Sequence, residues 1–347
     1  MAARGIAPGL KPSDALTVVA LFAEGADEAL AKSAKETLGK LPPQLISGAL
    51  TPELPAGVVD LLMPTYLSDP TLMERFLALP QIAPETVVMI ASKCSEEIAE
   101  IVATNEERLL AHPAIIEKLY LNKKTRMSTA NRALELAVRN NVKIEGIPAY
   151  EEAALAIADE LIPEASVEPN FSDILFKETT ELGEKLAAEA LEADTHELDE
   201  ATGEEKIKEK FIPVHVRIAD MNKAEKIRTA MVGSASERAI LVRDNNKMIA
   251  RAAVKSPMIQ ENEAVMISKM RNVCDEVLME LARGARWKSS YQIKLNLVQN
   301  PRTPVHVAAK LIPYLFEHDV KSIAKSKNVT SPIQNAAKQQ LQRKGKN

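Results

Sequence analysis

Residues 297–311 read Leu-Val-Gln-Asn-Pro-Arg-Thr-Pro-Val-His-Val-Ala-Ala-Lys-Leu, and no other stretch constrains the fold as much. Asn300 precedes Pro301, and a residue before proline is driven out of the α region, so a helix ends there. Thr303 precedes Pro304, and a hydroxyl N-cap followed by proline in the first helical position starts another helix. Val305, Ala308, Ala309 and Ile312 then follow at helical spacing. The stretch is the corner between two short helices. A variant recurs at Leu79–Pro84, with Pro84 in the first helical position. A chain that repeats this corner is expected to be all-α, a stack of helical repeats.

Composition supports helices. Hydrophobic residues make up 46% of the 347 positions, enough for a large core, whereas aromatics are 3% and glycines number 12. Few aromatics and few glycines favour helix over a β-sandwich. Cys94 and Cys274 are too few for a disulfide framework or a four-cysteine metal site, which fits a reducing cytoplasm. The first residues lack the apolar stretch of a signal peptide, and no run of about 18 apolar residues exists to span a membrane. A cytoplasmic protein without membrane insertion is expected.

Sliding the chain against itself gives a second constraint. At an offset of 177, Asp69-Pro70 falls on Asn246-Lys247 and Pro80 on Pro257. At 179, Glu97-Ile98 falls on Glu276-Val277. At 178, Leu119 falls on Leu297, Asn122 on Asn300, Thr125 on Thr303, and Val142-Lys143 on Val320-Lys321. The shared asparagine corners and the near-constant offset favour an internal duplication. The competing explanation is that any two amphipathic helical arrays align at this level.

The expected organisation is a disordered tail over 1–12, an N-terminal helical-repeat arm over 13–150, an acidic and partly disordered linker over 151–215, a basic C-terminal arm over 216–342, and a basic tail over 343–347. Charge marks these divisions. The net charge of −4 hides −14 over residues 151–210 and +13 over 211–347. Within the linker, 151–162 and 171–191 read as helices, the second with Phe171, Ile174, Leu175 and Leu182 on one side. Residues 192–210 read as frayed, and Phe211–Ile218 alternates like a strand.

The corners Val298–Pro304, Val254–Ile259 and Ala324–Pro332 make the second arm resemble bacterial HEAT-like solenoids, in particular the leucine-rich-repeat variant type. The segments Asn222–Ile227, Arg238–Asn246 and Trp287–Leu295 carry the same likeness. It covers about 225–342 well and 13–148 loosely. The resemblance implies an architecture of two related arms and no activity. The variant type can hold an iron–sulfur centre on an N-terminal cysteine cluster. This chain has no such cluster, so no cofactor is expected.

Catalytic motifs are missing. There is no Gly-x-Gly-x-x-Gly and no Walker-type loop. His112, His196, His215, His306 and His318 show no metal-ligand spacing, and no serine or cysteine sits in a nucleophile motif. The informative residues are basic. Arg243, Lys247, Arg251 and Lys255 fall about four apart and would form one stripe on a continuous helix. Arg283, Arg286, Lys288, Lys294 and Arg302 surround Trp287 and Tyr291, and cations beside aromatics can grip phosphates and a base. Alkylpurine DNA glycosylases show that HEAT-like solenoids can hold DNA, an analogy of fold alone. The competing reading is a solvated face with Trp287 packed between repeats. The primary expectation is a non-enzymatic scaffold that binds another protein on a concave repeat surface. The alternative is a nucleic-acid binder that uses the basic arm, masked by the acidic linker.

Overall fold

The computed structural model describes residues 9–160, 162, 164–189, 195–198 and 205–344. The chain divides near Gly146 into two compact units, the short piece 162–165 going with the first. The first unit holds α1 (Pro12–Ala23), α2 (Glu28–Leu38), α3 (Pro43–Ala49), α4 (Ala56–Leu62), α5 (Pro70–Leu77), α6 (Pro84–Lys93), α7 (Glu96–Ala103), α8 (Glu106–Ala111), α9 (Ala114–Leu121) and α10 (Met127–Arg139). The second holds α11 (Tyr150–Ala158), α12 (Phe171–Glu189), α13 (Ile212–Asp220), α14 (Lys223–Val232), α15 (Ala235–Leu241) and α16 (Lys247–Lys255). It continues with α17 (Glu261–Lys269), α18 (Asp275–Arg283), α19 (Tyr291–Gln299), α20 (Val305–Leu311), α21 (Glu317–Lys325) and α22 (Ser331–Lys344). The regular structure of the described residues is almost all helix. The exception is a two-stranded antiparallel ladder, β1 (His196–Leu198) with β2 (Glu205–Ile207), in the register His196 to Ile207.

Helix starts follow local chemistry. Proline occupies the first turn of α1, α3, α5 and α6, where its missing N–H leaves no bond unmade. Asp69 Oδ1 accepts from Leu72 N, and Asn105 Oδ1 from Arg108 N. Asn222, Ser234 and Gln260 head capping boxes closed by Glu225, Glu237 and Glu263. At the corner 297–311, α19 ends with Asn300 as its C-cap. The next N-cap is Pro304 and not Thr303, and the buried Thr303 hydroxyl makes no capping bond.

Tertiary hydrogen bonds have a period. Arg108 Nη2 donates to Leu77 O, 31 residues back, and Arg126 Nε to Glu96 Oε1, 30 back. Asn122 Nδ2 donates to Ala91 O and Cys94 O at 3.0 and 3.2 Å, while its Oδ1 accepts from Lys124 N at 3.0 Å. In the second unit, Asn300 Nδ2 donates to Ser268 O and Met270 O at 3.0 and 2.7 Å, and its Oδ1 accepts from Arg302 N at 3.0 Å. The two asparagines are buried and do the same work at the same kind of corner. Helices accordingly pack against their second neighbours, as α5 on α7, α14 on α16, α16 on α18 and α17 on α19. The offset of 177–179 also carries the start of α6 onto that of α17, α7 onto α18 and α9 onto α19. It fails at its end, because Val142-Lys143 lies beyond α10 while Val320-Lys321 lies within α21.

Three expectations are corrected. Phe211–Ile218 is not extended: a 3-10 turn, Glu209–Phe211, leads into α13. Phe211, Val214 and Ile218 form its buried stripe at spacings of three and four, and Pro213 sits harmlessly in the first turn. Helix α12 turns Asp173, Leu175, Phe176, Thr179 and Thr180 inward, so Leu175 is buried as expected, but it leaves Phe171 and Ile174 exposed. Its buried face mixes apolar Leu175 and Phe176 with polar groups, of which Thr180 meets the capping carboxylate of α15, described below. Thirdly, the segment set apart as a linker supplies α11, α12 and α13 to the second unit. Within 192–210, Thr195–Leu198 and Glu205–Ile207 are described and paired, and Lys208 N donates to Thr195 O at 3.0 Å. Residues 192–194 and 199–204 of that segment, residues 1–8 and residues 345–347 lie outside the described residues.

Candidate functional site

Helix α16 carries Lys247, Arg251 and Lys255 at spacings of four, while Arg243 stands before its N-cap, Asn246, and is not on it. Each cation of the row meets a carboxylate on another helix. Lys247 Nζ donates to Glu276 Oε1 of α18 at 2.6 Å. That bond holds the Lys247 ammonium above its usual range and the Glu276 carboxyl below. Arg251 Nη2 lies 3.1 Å from Glu152 Oε1 and 3.9 Å from Glu280 Oε2. Lys255 Nζ lies 2.8 Å from the same Glu152 oxygen. Glu152 belongs to α11 and its side chain is 4% exposed, so the acidic segment supplies a counter-charge to two cations of the row, Arg251 and Lys255. Another acid of that segment, Glu178 of α12, pairs with Arg217 at 3.1 Å.

The second basic cluster is split. Trp287 is buried, and the Cβ that Gly284 lacks would stand 2.8 Å from its Cδ1. The Arg286 guanidinium lies 4.7 Å from the Trp287 ring centre and donates through Nη1 to Pro257 O at 3.3 Å. The indole is thus 6% exposed, with the Arg286 guanidinium beside it and Gly284 against its edge. Tyr291 donates its hydroxyl to Asp319 Oδ2 and accepts from Phe316 N at 3.1 Å; burial above all raises its pKa. Arg302 reaches Asp275 at 3.4 Å. Arg283 and Lys288 are exposed with no ion pair among the described residues. The structure therefore gathers Lys255, Arg286 and Trp287 around one small cavity of about 240 Å³ and leaves Arg283 and Lys288 to solvent.

Buried carboxylates, which could have signalled catalysis, have a structural role. Glu225, Glu237 and Glu263 each accept from their own N-cap amide, at 3.0, 2.6 and 3.1 Å. Asn170 and Asp173 exchange the same pair of bonds at the start of α12, 3.0 Å each. Glu263 also holds Arg238 in a buried fork, Nε to Oε2 and Nη2 to Oε1 at 2.9 Å each. Glu237 is sealed under α12, where Thr180 Oγ1 donates to it at 3.4 Å, and burial raises its pKa. These residues were missed in the sequence, although Asn222-x-x-Glu225, Ser234-x-x-Glu237 and Gln260-x-x-Glu263 carry the capping pattern openly.

The most conspicuous exposed feature is aromatic. Tyr314 and Phe316 are 68% and 60% exposed in a chain with 3% aromatics. Phe316 lies 4.4 Å from Tyr291 and 5.8 Å from the His318 ring, and Lys294 Nζ lies 5.9 Å from the Tyr314 ring centre. Glu317, next along the chain, pairs with Lys321 at 2.5 Å, and Asp319 accepts from Tyr291. Among the described residues no group of His, Cys, Asp and Glu could hold a metal ion, and no helix is long and apolar enough to cross a membrane. Comparison with protein-family models, curated proteins and solved structures finds no match to this chain.

Proposed function

We propose that the chain is a helical-repeat scaffold of two related arrays that binds another protein, and that the aromatic edge Tyr314–Phe316 is its contact. The hydrogen bonds that recur about 30 residues apart, and the matching corners at Asn122 and Asn300, support stacked repeats of the HEAT-like kind. The observation that carries the binding role is the edge itself. Two aromatic side chains left in water are contact material, and Tyr is enriched where partners meet. A photo-crosslinking residue at position 316 of the full chain tests this. Discrete protein adducts in cells, lost on Tyr314→Asp, are expected; nucleic-acid adducts, or adducts equal to those from position 185, would overturn it.

A second reading rests on Arg283 and Lys288, the exposed cations of the Trp287 corner without ion pairs among the described residues. In it the corner grips a phosphate backbone without stacking on Trp287. Binding of the full chain to single- and double-stranded DNA and RNA across a salt series is then steep in salt and falls on Arg283→Ala with Lys288→Ala.

A further inference from the structure

The proline corner Leu79–Pro84 and α8 line a cavity of about 250 Å³ in the first unit. Pro80, Ile82, Pro84 and Val87 give it an apolar wall, and Glu107, Arg108 and His112 line it from α8 and its C-cap. Both sides are tied down. Gln81 Nε2 donates to Thr51 O and Leu54 O at 3.2 and 3.0 Å, and Ala83 N to Asp60 Oδ1 at 3.2 Å, so the corner is anchored to the residues before it. Arg108 is fixed by Nη2, which donates to Leu77 O at 2.9 Å. Its guanidinium has no ion pair among the described residues. Partly buried arginines elsewhere are neutralised: Arg126, Arg132, Arg217, Arg238 and Arg251 each lie within 3.4 Å of a carboxylate oxygen. At Arg108, desolvation without such a partner lowers the pKa from the ordinary arginine value. The His112 ring is half-buried and Glu107 is exposed, and neither side chain has an ion pair or hydrogen bond among the described residues.

We propose that this cavity binds a small apolar amino acid as its zwitterion, with the carboxylate on Arg108 and His112, the ammonium on Glu107, and the side chain on the proline wall. A cation, a carboxylate and an apolar wall in one cavity are the three complements of such a molecule. A purely anionic ligand would meet repulsion from Glu107, and a purely cationic one would leave Arg108 without a counter-charge. Arg108 and His112 are four residues apart and both line the cavity, so they can converge on one carboxylate. Val87 is 1% exposed and the prolines fix their own φ, so the wall is preorganised. The volume lies just under the roughly 300–1,000 Å³ of drug-sized sites, which points to a ligand of amino-acid size. The scaffold reading uses none of these residues.

The test is probe-observed NMR on the full chain at low salt, with leucine, isocaproate, which lacks the ammonium, and isoamylamine, which lacks the carboxylate. Leucine is expected to bind, and each analogue about tenfold more weakly. Glu107→Gln, at an exposed position, is expected to abolish the preference for leucine over isocaproate, and Arg108→Gln the preference over isoamylamine. The probes on the unmodified chain decide the ligand class whatever the variants do to folding. No binding of leucine at about 10 mM, either analogue bound as tightly as leucine, or either preference unchanged in its variant would overturn the proposal.

Discussion

Replacing Asn122 or Asn300 with alanine measures whether the two corners are one device used twice. Each side chain donates twice to main-chain carbonyls about 30 residues earlier and accepts once from the amide two residues on. A buried hydrogen bond contributes about 1 kcal/mol net, and a buried carbonyl left without its donor adds to the loss, so each substitution should cost about 3 kcal/mol. The asparagines lie in different units and share no partner, so the double variant should cost about the sum. That approaches the whole stability of many domains, roughly 5–15 kcal/mol. Urea unfolding of the full chain, followed by helical circular dichroism, gives the magnitude. Hydrogen exchange read peptide by peptide shows whether the loosening in each single variant stays in its own unit. Asn→Asp at either site should cost no less, because it sets an acceptor against two acceptors. A loss below about 0.5 kcal/mol at either position would refute the assignment of these bonds as the tie between successive turns. A loss at one corner and none at the other would refute their equivalence.

Breaking the buried fork by Arg238→Ala should cost about 3–5 kcal/mol, whereas Arg238→Met with Glu263→Leu should recover most of it; equal losses in the two would contradict the pairing. The raised pKa of Glu237 means that its contribution to stability is fully present below the ordinary glutamate range and is lost as pH rises through the folded value. Urea titrations from acid to neutral pH should therefore show the native chain losing ground to Glu237→Gln as pH rises, and parallel profiles would refute this. Burial pushes the Cys94 thiol up to about 11 and hides it completely, while Cys274 is partly exposed. Iodoacetamide should thus modify Cys274 in the folded chain and Cys94 only after unfolding, as mapped by mass spectrometry.

Much of the helical order was legible because short-range chemistry writes it. Helix α16 is one such case, since Asn246 caps it and Pro257 follows its end. The offset of 177–179 was legible for the same reason, because caps and prolines repeat with the helices they punctuate. Ion pairing was not legible. Lys247, Arg251 and Lys255 look like a free stripe in the sequence, but Glu276 lies 29 residues from Lys247 and Glu152 lies 103 from Lys255. No local pattern reports such partners. Phe211–Ile218 misled because alternation and a spacing of four coincide at Val214 and Ile218. Trp287 beside Arg286 read as a gripping pair, while the clue to its burial was a missing side chain at Gly284. The inward place of Thr180 on α12 needed knowledge of the carboxylate opposite, which only the fold supplies.

The spacing of the tertiary bonds also orders events on the ribosome. A helix whose partners lie about 30 residues away can be locked soon after it emerges, so the first unit can assemble turn by turn behind the growing end. Glu152 is different, because its counter-charges arrive 103 residues later with Lys255. Until then, α11 carries an acid destined for a buried position and has nothing to neutralise it. A chain that stops short of α16 therefore lacks both cations that Glu152 meets in the folded unit.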